Sequence, residues 1–160
     1  MAQRGFTLIE LMVGVSIMAI LASLALPNFA KQIADSQVRS TADQLRDSIV
    51  RVRQEALKRN APVTLTVKDG VGTLGVAAFG ANEAVDITSY TYKGTVSEGS
   101  VTLDGSGRAQ EDATFLVSSP KYACKADAGP ITCYKIQVFA GGAVRMCDPS
   151  KPAGGVRACL

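Results

Sequence analysis

The sequence predicts an α+β fold: one long N-terminal α-helix, apolar in its first half, whose second half covers one face of an antiparallel β-sheet. Three observations lead there. Residues 6–26 form an apolar run with a single charge, Glu10. Val38, Ala42, Leu45, Ile49, Val52 and Ala56 recur in alternating steps of four and three, the stripe of an amphipathic helix. Beyond Pro62 the chain breaks into short alternating or β-branched runs separated by Asp-Gly, Gly-Pro and Gly-Gly turn signals.

The apolar run comes first. At about 1.5 Å per helical residue it reaches on the order of 30 Å, enough to cross a bilayer's hydrocarbon core. Before it stands only Met1-Ala2-Gln3-Arg4-Gly5, with Arg4 as its positive side chain. A basic flank holds that end in the cytoplasm, so the chain after Leu26 faces outward. A carboxylate inside such a span is costly, which marks Glu10 as a functional residue. A secretory signal peptide is one competing reading, with small residues offered at Ser23-Leu24-Ala25. The run is long for that, and Glu10 lies inside it. A plain membrane anchor is the other.

Pro27 removes one helix hydrogen bond and is expected to kink the helix, since the apolar pattern resumes beyond it. The remaining faces carry Asp35, Arg39, Asp43, Arg46, Asp47, Arg51, Arg53, Glu55, Lys58 and Arg59. Asp35–Arg39, Asp47–Arg51 and Glu55–Arg59 are opposite charges at i,i+4, so the face reads as solvated and self-compensating. Asn60 suits a left-handed cap and Pro62 forbids continuation, which ends the helix near Arg59.

The sheet follows in order. Residues 63–67 alternate, Asp69-Gly70 turns the chain, and 73–79 return. Residues 80–89 read as a loop and 90–96 as β-prone. Residues 100–103, a turn at 104–107 and 114–118 form a strand, turn and strand. Residues 132–139 and 143–147 flank Gly141-Gly142 as the clearest hairpin. The tail 148–155 has turn composition.

The four cysteines, Cys124, Cys133, Cys147 and Cys159, form no C-x-x-C motif and lie on the outward side of the span, where disulfides persist. Three pairings are open, and sequence neighbours are favoured: Cys124 with Cys133 and Cys147 with Cys159. The chain has no histidine, which removes histidine bases, histidine metal ligands and Ser-His-Asp catalysis. Asp104-Gly105-Ser106-Gly107-Arg108 lacks the lysine and hydroxyl ending of a phosphate loop and reads as a hairpin turn. Glu111-Asp112 reads as solvated, and no acidic spacing specifies calcium. No catalytic residue, cofactor or metal is expected, and the chain does not read as an enzyme. The net charge of +3 does not itself argue for nucleic acid.

The string Gly5-Phe6-Thr7-Leu8-Ile9-Glu10, with its short basic leader, long apolar segment and Pro27, resembles the N-terminus of type IV prepilins and pseudopilins. The resemblance implies a leader at 1–5, a transmembrane or filament-core helix at 6–27 and an outward head at 28–160. It implies cleavage by a prepilin peptidase between Gly5 and Phe6, and N-methylation of Phe6. It also implies that Glu10 pairs with the N-terminal ammonium of a neighbouring subunit, and that Pro27 serves assembly. Arg51-Val52-Arg53-Gln54-Glu55-Ala56-Leu57-Lys58-Arg59-Asn60, followed at once by a strand, is similar to the GspH/FimT group of minor pilins. The ending Val144-Arg145-Met146-Cys147-Asp148-Pro149 with Arg157-Ala158-Cys159 is similar to the FimU-type members of that group.

The family implies an inner-membrane protein whose head faces the periplasm and then the pilus surface. Its partners are the peptidase, other minor pilins and the major pilin. A pseudopilin of a type II secretion system is an alternative. Another is a DNA-uptake pilin, whose basic end would draw on Lys121, Lys125 and Lys135 and above all on Arg145, Lys151 and Arg157. Gly155-Val156-Arg157-Ala158 has one arginine without the repeated partner of DNA-binding relatives, so a scattered solvated surface is the simpler reading.

Overall fold

Steps of four and three keep one face of a 3.6-residue helix in line, and that face is the one the helix buries. In the computed structural model, which describes residues 7–76 and 89–159, the helix α1 runs Leu8–Arg59. Val38, Ala42, Leu45, Ile49, Val52 and Ala56 are each at most 1% exposed. Asn60 takes a left-handed φ of 48°. Its N–H donates to Leu57 O and that of Ala61 to Ala56 O, which closes the last turn. The side chains of residues 24–27, and with them the kink expected at Pro27, lie outside the described residues. The chain divides into two compact units, Met1–Ile33 and Ala34–Leu160.

Among the described residues eight strands build the head: β1 Val63–Lys68, β2 Val71–Val76, β3 Ser89–Thr91, β4 Thr95–Val96, β5 Gly99–Leu103, β6 Ala113–Ser118, β7 Tyr134–Val138 and β8 Val144–Cys147. They form two four-stranded sheets, in the orders β3-β2-β1-β5 and β4-β6-β7-β8. Within these two sheets the neighbouring strands pair antiparallel, while the isolated bridges Cys124–Ile131 and Asp148–Ala158 are parallel. Alternation decides which residues face inward: Val63, Leu65 and Val67 on β1, Phe115 and Val117 on β6, Ile136 and Val138 on β7 are all buried. Together with the α1 stripe they form one core cluster.

Turn chemistry sets the register. Asp69 and Gly70 both have positive φ, 50° and 72°, the requirement of a two-residue hairpin turn. The returning strand therefore starts at Val71, directly opposite Lys68, two residues earlier than the sequence pattern suggests. The rest of that expected strand and most of the 80–89 loop lie outside the described residues. Between β7 and β8, Gly142 has φ 80°, and a Cβ there would lie 2.3 Å from Gly107 O, so only glycine fits.

The β-prone stretch 90–96 is not one strand. It divides at Tyr92-Lys93-Gly94 into β3 of the first sheet and β4 of the second. The cause is polar and lies on α1. Thr41 and Ser48 are buried on the helix. Thr41 Oγ1 accepts from Gly94 N at 2.9 Å, and Tyr92 Oη donates to Ser48 Oγ at 3.2 Å. Tyr92 N donates to Gly70 O at 3.0 Å. Ser48 Oγ also donates to Gln44 O at 2.8 Å, so the bond that weighs most is the one to Thr41: without it the buried Gly94 N–H would cost about 1–3 kcal/mol.

The charged face of α1 keeps the expected Glu55–Arg59 pair and departs from expectation at the other two. Glu55 pairs with Arg59, and Lys58 Nζ is 3.9 Å from the same carboxylate. These contacts, Arg59 first, hold the Glu55 carboxyl below its ordinary range. Asp35–Arg39 and Asp47–Arg51 are not among the ion pairs of the described residues. Asp35 Oδ1 instead accepts from Thr132 N at 2.7 Å, across 97 residues of sequence.

Candidate assembly site

The first unit is built around the start of α1. Thr7 is its cap: Leu11 N donates to Thr7 O at 3.2 Å and Glu10 N to Thr7 Oγ1 at 3.3 Å. Glu10 reaches back, and its Oε2 accepts from Thr7 N at 3.4 Å and Thr7 Oγ1 at 3.3 Å. This is the reciprocal T-x-x-E capping box, which satisfies orphan donors of the first turn. The signal lies in the sequence, but an acid read only as a partner for another subunit hides it. Gly5 and Phe6 lie outside the described residues.

Every large apolar side chain from Leu8 to Leu21 is exposed in the isolated chain. The hydroxyls among them are satisfied within the helix: Ser16 Oγ donates to Met12 O at 2.8 Å and Ser23 Oγ to Ile20 O at 2.7 Å. Polar groups that bond their own helix in this way enter an apolar medium at reduced cost. Among the described residues no single helix is long and apolar enough to cross a membrane. Leu8–Ser23 meets that test only jointly with Asn28–Arg59.

The head carries the cysteines. Cys124 bonds Cys133, with Cα atoms 5.4 Å apart, and Cys147 bonds Cys159 at 5.0 Å. The first loop is compact. A 3₁₀ turn at Lys125–Asp127 leads to Ala128 in the left-handed region, and Gly129 N donates to Cys124 O at 2.7 Å. A Cβ on Gly129 would lie 2.0 Å from Ala123 O. The second loop is organised by Asp148, buried at 7% exposure. It accepts from Ser150 N at 2.9 Å and Ser150 Oγ at 2.6 Å, and its own N–H donates to Arg157 O at 2.7 Å.

The structure places the basic residues on three features. Lys151 and Arg157 share the loop closed by Cys147–Cys159. Arg145 stands on β8 opposite Gln137, and Lys135 on β7 opposite Cys147. Lys121 lies over the Tyr122 ring at 5.6 Å, and Lys125 Nζ donates to Thr132 Oγ1 at 2.9 Å. Arg145, Lys151 and Arg157 form no ion pair among the described residues.

The 104–108 segment is a hairpin turn. Asp104 Oδ1 accepts from Ser106 Oγ, Arg108 N and Ser106 N. The Ser106 hydroxyl, then the Arg108 amide, hold the Asp104 carboxyl below its usual range. Among the described residues no three acidic or cysteine side chains come together as a metal site.

Comparison with known proteins agrees with this geometry. The prokaryotic N-terminal methylation motif matches residues 1–26. The fimbrial protein EcpC of Eikenella corrodens is 29% identical over 139 residues, 73% of this chain and 90% of its own. The type IV major alpha-pilin of Moraxella bovis is 26% identical over 156 residues, 90% of this chain and 98% of its own. The crystal structure of the type IV minor pilin FimU of Pseudomonas aeruginosa superposes with a TM-score of 0.55 at 18% identity, covering 74% of this chain and 94% of that one. That likeness is one of fold: a long N-terminal helix on antiparallel sheet. The chain thus carries a prokaryotic N-terminal methylation motif at its start, is similar in sequence to type IV pilins along most of its length, and shares the fold of a type IV minor pilin.

Proposed function

We propose that this chain is a minor pilin of the GspH/FimT group, a structural adaptor that enters a type IV pilus by packing of α1. The observation that carries the reading is the likeness of its fold to a minor pilin over 94% of that chain. The motif at residues 1–26 supports processing by a prepilin peptidase, with cleavage between Gly5 and Phe6 and methylation of Phe6. The apolar segment 6–27 then anchors the chain in the inner membrane with its N-terminus cytoplasmic. The head, 28–160, faces the periplasm and later the filament surface. Pro27 marks the change from apolar span to head helix.

The capping box gives Glu10 a mechanism. Oε2 is held by two donors of Thr7, while Oε1 has no donor among the described residues. A carboxylate fixed at one oxygen and open at the other can receive the N-terminal ammonium of a neighbouring subunit. An unpaired charge in an apolar surrounding costs about 3–5 kcal/mol, so this pair sets the register of packing. Glu10→Ala is expected to leave the head folded and to lower incorporation into sheared filaments about a hundredfold or more. Quantitative mass spectrometry of those filaments reads both copy number and the Phe6 start. Normal incorporation of the variant would overturn the role of Glu10. Wild-type chain forming the bulk of the filament would make it a major pilin.

The DNA-uptake reading has one supporting feature, the exposed Lys151 and Arg157 on one loop. Full-length protein in detergent that shows no salt-dependent DNA binding would remove it. A pseudopilin role in type II secretion shares the same scaffold, and the neighbouring genes separate the two machines.

A further inference from the structure

We propose that the Cys124–Cys133 loop is a latch for the first turns of α1 within the head, so that oxidation of these cysteines fixes how much of the helix is docked. The stripe that α1 buries is uneven. From Leu45 onward it carries Leu45, Ile49 and Val52, whereas its first contacts are Ala34, Val38 and Ala42. Two alanines and a valine bury little apolar surface, so this end depends on polar fastening.

The first of its polar fastenings, ahead of the bond from Gly94 N to Thr41 Oγ1, is the 2.7 Å bond from Thr132 N to Asp35 Oδ1. Thr132 is the residue before Cys133, inside the ten-residue ring that the disulfide closes. The ring fixes the direction of that N–H. Cys124 and Ile131 bridge as a strand pair, Lys125 N donates to Ile131 O at 2.7 Å, and Lys125 Nζ holds the Thr132 hydroxyl. Gly129 lets the ring fold this tightly against Ala123. Opening the disulfide frees the ring, and Asp35 then loses a donor that no residue near it in sequence replaces.

The test is hydrogen exchange of the full chain in detergent micelles. In Asp35→Ala, exchange over residues 35–45 is expected to rise about tenfold while residues 49–56 keep their protection. Asp35→Asn retains a carbonyl oxygen that can accept from Thr132 N, and should restore most of the protection. The paired variant Cys124→Ser with Cys133→Ser should reproduce the Asp35→Ala pattern, and adding Asp35→Ala to it should change little more. Wild-type exchange over 35–45 in Asp35→Ala, or equal loss in Asp35→Asn and Asp35→Ala, would overturn the latch. Where the serine pair fails to fold, a reductant titration of the wild-type chain decides: protection over 35–45 that survives loss of the Cys124–Cys133 bond overturns the latch.

Discussion

Replacing Phe115 with alanine is expected to lower the unfolding free energy of the head by about 3–5 kcal/mol, the usual cost of deleting a large buried aromatic. Phe115 is 1% exposed and stands on β6 opposite Ile136 of β7. A Cβ placed on Gly99 of β5 would come within 3.1 Å of its ring. The ring therefore fills the space where the edge strand of the first sheet meets the second sheet, and the strands on either side are tied into hydrogen-bonded ladders. They cannot close in to fill the hole, which puts the cost toward the upper part of that range. Domains of this size hold about 5–15 kcal/mol in all, so the variant should be near the limit of folding. Denaturant titration of the full chain in mild detergent, followed by near-ultraviolet circular dichroism, measures it. A shift below about 1 kcal/mol would mean that the core repacks around the gap. Phe115→Leu should recover more than half of the loss.

Reduction of both disulfides should have an effect of comparable size. The cross-links are separated by 9 and 12 residues of sequence. By the chain-entropy argument, rings of that size stabilise by about 3 kcal/mol each. The two act on different segments, so their losses should roughly add. Cys124, Cys133 and Cys147 are also buried, so the freed thiols stay within the packed interior. Thermal unfolding with and without reductant reads the sum, and alanine pairs at 124/133 and 147/159 read the parts. Full retention of stability in reductant would show that packing alone holds the head.

Much of this architecture was legible in the chain itself, and the reason is periodicity. The stripe from Val38 to Ala56 is a local pattern, and each of its residues is buried. Asp69-Gly70 and Gly141-Gly142 are local as well, and both turn the chain between paired strands. What could not be read depends on partners far away in sequence. The break at Tyr92-Lys93-Gly94 follows from Thr41 and Ser48, which are 53 and 44 residues distant. Asp35 looked like a salt-bridge partner of Arg39 because helical spacing brings those two close, and nothing local announces Thr132. Glu10 was recognisable as the unusual acid of an apolar segment. Its bond with Thr7 is local too, carried by the T-x-x-E spacing of a capping box.

The order in which strands join the two sheets has a consequence for how the head comes into being. β4 belongs to the second sheet and β5, three residues later, to the first. Residues 95–96 must wait for 117–118, while residues 63–67 must wait for 99–103. As the chain is synthesised from its N-terminus, the earlier sheet therefore cannot be completed before a segment already owed to the later one has emerged. No cut between β4 and β5 yields a half that owns a whole sheet. The head is therefore expected to settle as one cooperative unit only after β8 has emerged, and a ribosome stalled near residue 100 would hold a chain whose α1 stripe has only β1 to β4 to cover it.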